Sequence, residues 1–301
     1  MNYDKSKGKV IIAGAGPGDP ELITVKAAMY LEKADIILTD RLVSPEILER
    51  YTSASSKIIH VGKQCRKGIT TPQSTINELM ISYAKEGNLV VRLKGGDVSV
   101  FSNLLDELEA LTANDVPYEI IPGVTAGIGA AAYAGIPLTA RGYSTAVRFL
   151  TYYKSDIVTD QYWKELANTD DTLIFYMSSE TLSQVVTKLV ENNISPDKLM
   201  AVIQQATTPM QQVLISSLYD YGENENHNYV SPTLIIIGKV VGLSQQFSWI
   251  KNSGVKDYYF QPLTNSDKSG KEALNHIKEN IKQGLPLTIE NKSTQRHATR
   301  A

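Results

Sequence analysis

Residues able to do chemistry stand at the ends of apolar runs. Val90-Val91-Arg92-Leu93-Lys94 reads as a buried strand and stops at Gly95-Gly96-Asp97, where paired glycines let backbone approach closely and a carboxylate follows. Two further runs end alike. Val10-Ile11-Ile12-Ala13 enters Gly14-Ala15-Gly16-Pro17-Gly18-Asp19-Pro20, and Tyr118-Glu119-Ile120-Ile121 enters Pro122-Gly123-Val124-Thr125-Ala126-Gly127. Ligands of open α/β sheets sit at the carboxyl ends of strands, so the three loops are expected to converge on one crevice. Ile36-Ile37-Leu38 likewise ends at Thr39-Asp40-Arg41, and a basic loop carries Lys63, Arg66 and Lys67.

The first loop is close to a dinucleotide fingerprint: strand, Gly14-x-Gly16, helix, then Asp40 after the next strand. The spacing argues against it. Gly18 arrives one residue early, and Pro17 and Pro20 stiffen what a phosphate cradle needs supple. A nicotinamide cofactor is therefore not expected.

The elements that position these loops alternate strand and helix. A helix over Leu22–Lys33 follows the first strand, a second strand precedes Asp40, a short helix runs to about Tyr51, and Lys57–Val61 forms a strand. Helices at Pro72–Lys85 and Asn103–Asn114 bracket the strand at Leu89, predicting a mostly parallel sheet covered on both faces. A small-residue helix, Thr125–Ala134, opens a second half with strands at Ala146–Thr151, Thr172–Tyr176, Met200–Ile203 and Thr233–Ile237 and a helix at Leu182–Asn192. The expected organisation is α/β: one α/β domain over 8–121, a second over 122–249, and a polar extension over 250–301. That extension reads as partly disordered, with one short helix near Ala273–Gln283.

The 301 residues carry a net charge of −2 and a hydrophobic fraction of 42%, the composition of a soluble globular protein, with no surface for nucleic acid or for a polybasic membrane contact. The sequence pI is near 6.1. A single cysteine, Cys65, excludes an internal disulfide, and His60, His227, His276 and His297 show no metal-ligand spacing, so no metal is expected. Neither a signal peptide nor an apolar run long enough to span a membrane is evident, which predicts a cytoplasmic protein.

Taken together, Gly14–Pro20, Asp40-Arg41-Leu42-Val43-Ser44, Val61-Gly62-Lys63, Val91–Asp97, Pro122–Ala126, Ala132-Tyr133-Ala134-Gly135-Ile136-Pro137-Leu138-Thr139 and Phe175-Tyr176-Met177 closely resemble the uroporphyrinogen-III C-methyltransferases. The resemblance runs from about Lys9 to Trp249. It implies the tetrapyrrole methyltransferase fold, with the cofactor in the cleft between two α/β domains. It also implies a homodimer that uses S-adenosylmethionine to methylate C2 and C7 of uroporphyrinogen III, giving precorrin-2 for sirohaem or cobalamin. Surplus apolar surface around Thr233–Ile237 is expected to serve the dimer.

Residue by residue, the resemblance implies cofactor contacts at Pro17, Gly95, Gly96, Asp97, Val100, Thr125, Ala126, Met177 and Ala206, and acid/base roles for Asp40 and Lys63. Arg41, Glu107 and Arg141 fall on substrate-binding positions. Blander readings compete: a tight turn at Gly95–Asp97, core filling by Met177, a helix cap at Asp40 and a solvated loop lysine at Lys63. The chain also departs from the pattern. After Asp97 the family continues Pro-Phe/Tyr-Val/Ile-Phe-Gly-Arg-Gly where this chain has Val98-Ser99-Val100-Phe101-Ser102-Asn103-Leu104, and His-Arg-Asp becomes Ala140-Arg141-Gly142. Two alternatives follow: a methyltransferase of the same fold on a different acidic substrate, or a cofactor-binding protein that has lost its chemistry.

Overall fold

The computed structural model describes residues 8–64, 69–153, 158–221, 228–255, 257–260 and 269–283. Cys65, Arg66, Lys67, His227, His297 and the tail past 283 lie outside them. In chain order the elements are β1 (Lys9–Gly14), α1 (Val25–Lys33), β2 (Ile36–Thr39), α2 (Pro45–Tyr51), β3 (Lys57–His60), β4 (Lys63–Gln64), β5 (Ile69–Thr70), α3 (Gln73–Lys85), β6 (Leu89–Lys94), α4 (Leu104–Ala113) and β7 (Tyr118–Ile121). There follow α5 (Ala126–Tyr133), β8 (Val147–Thr151), α6 (Asp160–Asn168), β9 (Thr172–Tyr176), α7 (Leu182–Glu191), β10 (Leu199–Gln204), β11 (Gln212–Ser217), β12 (Thr233–Gly238), α8 (Ser244–Phe247) and α9 (Ser269–Gln283).

The first sheet has the order β3-β2-β6-β1-β7 and every pairing in it is parallel. β6 is its central strand and is buried along its whole length, which is why it reads as a continuous apolar run. Alternation sends Val90 into a core shared with α3 and α4, and Leu89, Val91 and Leu93 into the core under α1 and α2. Arg92 and Lys94 therefore share the α3/α4 face with Val90.

The second sheet, β11-β10-β12-β9-β8, departs from the expectation. Only β8 and β9 run parallel; β10 pairs antiparallel with both β11 and β12, and β12 antiparallel with β9. A buried run of Ile and Val does not encode its direction, so alternation of strands and helices overextended the parallel reading. The unread elements include the edge strand β11, whose Val213 and Ile215 pack against the second half's core, and α6, which Thr159 caps and which buries Trp163, Leu166 and Ala167. β12 also corrects the expected dimer surface, because Thr233–Gly238 is buried in the middle of its own sheet.

In the extension the short helix read near Ala273–Gln283 is longer, Ser269–Gln283, and it is docked. α9 packs against α3 and β3, burying Leu274 and Ile277 in the first core, with Lys278 paired to Glu78 at 2.9 Å. Polar composition hid the docking, because the apolar stripe is only a few residues wide. Among the described residues, no helix is long and apolar enough to cross a membrane.

Candidate active site

The three glycine loops do meet. β1 lies between β6 and β7, and beyond the strand ends Gly16 and Gly96 exchange two backbone hydrogen bonds, at 3.1 and 2.7 Å. A Cβ on Gly14 would stand 2.6 Å from the Gly96 carbonyl oxygen and 2.7 Å from the Gly123 nitrogen, so side chains are excluded at this junction. Gly96 adopts φ +70°, and the space on its Cβ side opens towards the Ala126 nitrogen at the start of α5.

Asp97 ties the junction together. One carboxylate oxygen accepts from the Gly123 N–H at 2.8 Å; the other accepts from the Ser99 N–H at 2.8 Å and from the Ser99 hydroxyl. Burial alone would raise its pKa, but these hydrogen bonds outweigh it and hold the carboxyl below its ordinary range. Expected to receive the polar groups of a cofactor, Asp97 first shapes the backbone around one.

Beside Gly95 lies a cavity of about 290 Å³, lined by residues that include Asp40, Arg41, Gln73, Arg92, Lys94, Val100, Phe101 and Asn103. Its floor is ionic. Arg92 donates to Asp40 at 2.6 Å and to Glu107 at 3.0 Å, and Lys94 donates to the other Glu107 oxygen at 2.8 Å. Burial works against the charge of Arg92, but Asp40 and Glu107 prevail and raise its pKa. Lys94 goes the other way, because burial and the neighbouring Arg92 lower its pKa more than Glu107 restores it.

The sequence-predicted residues divide between this cavity and the loops around it. Asp40, Arg41, Gly95 and Val100 line the cavity. Pro17 packs on α5, where a Cβ on Gly129 would come within 2.6 Å of its ring, and Ala206 packs by its carbonyl on the Gly18 loop. Thr125 caps α5 by position and pairs its hydroxyl with Tyr176 at 2.9 Å; the same Tyr176 oxygen accepts the Gly127 N–H at 2.7 Å. Met177 is no core filler: it is half-exposed at φ +54°, beside Tyr176. Phe101, on the cavity wall, meets the Tyr176 ring in a tilted contact with centroids 5.1 Å apart and so links the two groups.

Three positions fall elsewhere. Glu107 is fully buried with both oxygens held by Arg92 and Lys94, so it meets the cavity through those cations and through Gln73, which donates to it at 3.5 Å. Arg141 stands exposed on the turn Ala140–Ser144, apart from the cavity lining. Lys63 pairs with Thr70 in the β4–β5 ladder, and its side chain lies outside the described ones. Asp40 is not a helix cap; Ser44 holds the cap position of α2. Arg92 and Lys94 were not singled out by sequence, although two cations at i, i+2 in an otherwise apolar central strand demand buried partners and so carried the signal.

Asn103, at the position where the resemblance implies an arginine, borders the cavity at φ +57° and starts α4. It does not cap the helix by its side chain, which donates instead to Asp106 at 2.6 Å.

The loops therefore offer a cradle free of side chains, a helix start and an apolar wall, next to a cavity that pairs a carboxylate with buried cations. A cofactor that is small, polar at one end and aromatic at the other fits the first, and an anionic substrate fits the second. Comparison with known proteins bears on the same residues. The family model described as Tetrapyrrole (Corrin/Porphyrin) Methylases matches residues 9–221. The Uroporphyrinogen-III C-methyltransferase of Bacillus subtilis is 43% identical over 247 residues, which covers 81% of this chain and 95% of that one. A Siroheme synthase of Vesicomyosocius okutanii is 40% identical over 80% of this chain, but the chain spans only 52% of that longer protein, about half the length of most curated relatives it matches. Among solved structures, uroporphyrin-III-C-methyltransferase of Thermus thermophilus superimposes with a TM-score of 0.66 at 33% identity, covering 82% of this chain and 99% of that one. From Gly14 to Met177 the motifs lie within the matched stretch and around one site: the chain belongs to the tetrapyrrole (corrin/porphyrin) methylases.

Proposed function

We propose that the chain is an S-adenosylmethionine-dependent C-methyltransferase converting uroporphyrinogen III to precorrin-2 by methylation at C2 and C7. The observation that carries the reading is the adjacency of the Gly95-Gly96 turn to a cavity holding Asp40, Arg92 and Lys94. A related Thermus thermophilus structure is complexed with S-adenyl homocysteine, and the B. subtilis relative is named for uroporphyrinogen III. Pro17, Gly95, Gly96, Asp97, Val100, Thr125, Ala126, Met177 and Ala206 would hold the cofactor, which when bound supplies an electrophilic methyl group.

The chain's own residues then do three things. The glycine junction and α5 fix the cofactor's place, so that positioning supplies most of the acceleration. Arg41, Arg92 and Lys94 present positive charge to a substrate with eight carboxylates. Asp40, oriented by Arg92, takes the proton that the methylated, cationic ring system must shed. Lys63 would serve as its acid/base counterpart. Cytoplasmic residence and a homodimer belong to the same reading; the exposed Tyr118 and Ile120 on the edge strand β7 support the dimer.

The test is incubation with S-adenosylmethionine and enzymatically generated uroporphyrinogen III, followed by mass and absorbance. Two added methyl groups are expected, along with a higher melting temperature when S-adenosylhomocysteine binds. Failure to bind S-adenosylhomocysteine would overturn the cofactor. Binding without methylation of this substrate would favour another acidic substrate, a reading that Asn103 in place of the family arginine specifically supports. Light scattering at the monomer mass across micromolar concentrations would end the dimer proposal.

A further inference from the structure

Residues 257–260 lie beyond the stretch that the family model matches, yet they touch both halves of the molecule at the rims of the site. On the second half the buried side chain of Gln205 donates to the Asp257 carbonyl at 2.7 Å and accepts from the Tyr259 N–H at 2.7 Å, a two-bond clasp. On the first half the Tyr259 hydroxyl meets the Ser44 hydroxyl at 2.7 Å, four residues past Asp40. Phe260 is buried next to it, its ring at 5.2 Å from that of Tyr259.

The turn so gripped is strained. Gln205 and Thr207 adopt φ of +47° and +65°, a conformation that non-glycine residues keep only where their surroundings over-determine it. Other bonds that hold it include Gln205 N–H to Pro232 and the Thr208 hydroxyl to the Gln205 carbonyl, both at 2.7 Å. The turn in turn supports the first glycine loop: the Thr207 hydroxyl accepts from the Asp19 N–H at 3.1 Å, and a Cβ on Gly18 would stand 2.7 Å from the Thr208 methyl.

We propose that Tyr259 and Gln205 are positioning residues that latch the Gln205–Thr208 turn to the Ser44 corner, so that a C-terminal segment sets how tightly the site holds its cofactor. The inference rests on the proposed S-adenosylmethionine site. Ser44, Tyr259 and Gln205 act in series: the Tyr259–Ser44 bond reaches the turn only through the Gln205 clasp, so once that clasp is gone the hydroxyl bond contributes nothing more.

A double-mutant cycle on the full chain tests this by calorimetric titration with S-adenosylhomocysteine. Tyr259→Phe, which keeps the edge-to-face contact with the Phe260 ring, is expected to weaken binding about threefold, and Gln205→Ala about tenfold, the span of one and two neutral hydrogen bonds. The double variant should bind no more weakly than Gln205→Ala alone. KM for S-adenosylmethionine should rise in step while KM for uroporphyrinogen III stays put, a split that general destabilisation would not produce. Single variants with wild-type affinity, or a double variant losing the product of both factors, overturn the latch and leave the cofactor reading standing. A wild-type protein that binds no S-adenosylhomocysteine overturns both.

Discussion

Two polar knots lie under the site, one ionic and one neutral. Beside the first sheet, Arg92 and Lys94 at the end of β6 bond the carboxyl groups of Glu107 and Asp40. On the second, Tyr176 holds Thr125 and the Gly127 N–H through one hydroxyl, with its own pKa raised chiefly by burial. Both fix a loop. Only the ionic knot also projects charge into the cavity, where Asp40, Arg92 and Lys94 form part of the wall. Buried ion pairs seldom repay their desolvation in stability, so the ionic knot is better explained by chemistry, whereas the neutral one is explained by geometry alone.

Breaking one partner separates the two most sharply. Glu107→Leu takes the carboxylate from the buried Lys94 and leaves Arg92 with Asp40 alone, and should cost about 3–5 kcal/mol of unfolding free energy, measured by urea titration. Replacing the whole set by apolar residues, Arg92→Met with Lys94→Met and Glu107→Leu, should recover most of that stability and still abolish methylation. A triple variant that retains activity would put the chemistry elsewhere. Tyr176→Phe, by contrast, removes two neutral hydrogen bonds and should cost about 1–3 kcal/mol, with cofactor affinity falling as the start of α5 loosens. A change confined to stability would make that knot purely structural.

The smallest expected effect lies away from both knots. Glu119 on β7 is held by Lys26, Lys9 and Tyr30, and its carboxyl falls from 4.5 to about 2. As acid is added the unfolded chain protonates there first, so the stability from this cluster is complete above pH 4.5 and is lost between 4.5 and about 2. Partial exposure keeps it modest. Acid titration of Glu119→Gln should show a shallower decline through that window; an unchanged slope would remove the cluster as a source.

Much of the first sheet was legible because its strands are short, β-branched and punctuated by glycine, and the same punctuation marked the Gly95–Asp97 and Pro122–Ala126 loops. What escaped has physical reasons. Buried β10 and β12 read the same whether their neighbours run with them or against them. α9 shows a polar sequence because one side of it faces water, and its two buried apolar residues do not name their partner. Glu107, an acid in the first turn of a helix, falls by resemblance on a substrate-binding position; only its partners on β6 reveal that it is buried beneath the cavity.

The ionic floor has an evolutionary corollary. Lys94 and Glu107 are 13 residues apart and bonded, so the loop between them is closed at its base by a charge pair that owes nothing to the loop's own residues. Pinning the ends supplies the closure of the loop independently of what it contains. Such a segment can drift without unravelling the fold, and this is the stretch where Val98–Leu104 has left its relatives' pattern. Change in what the proposed site accepts therefore has a preferred address, a replaceable cassette on a fixed frame.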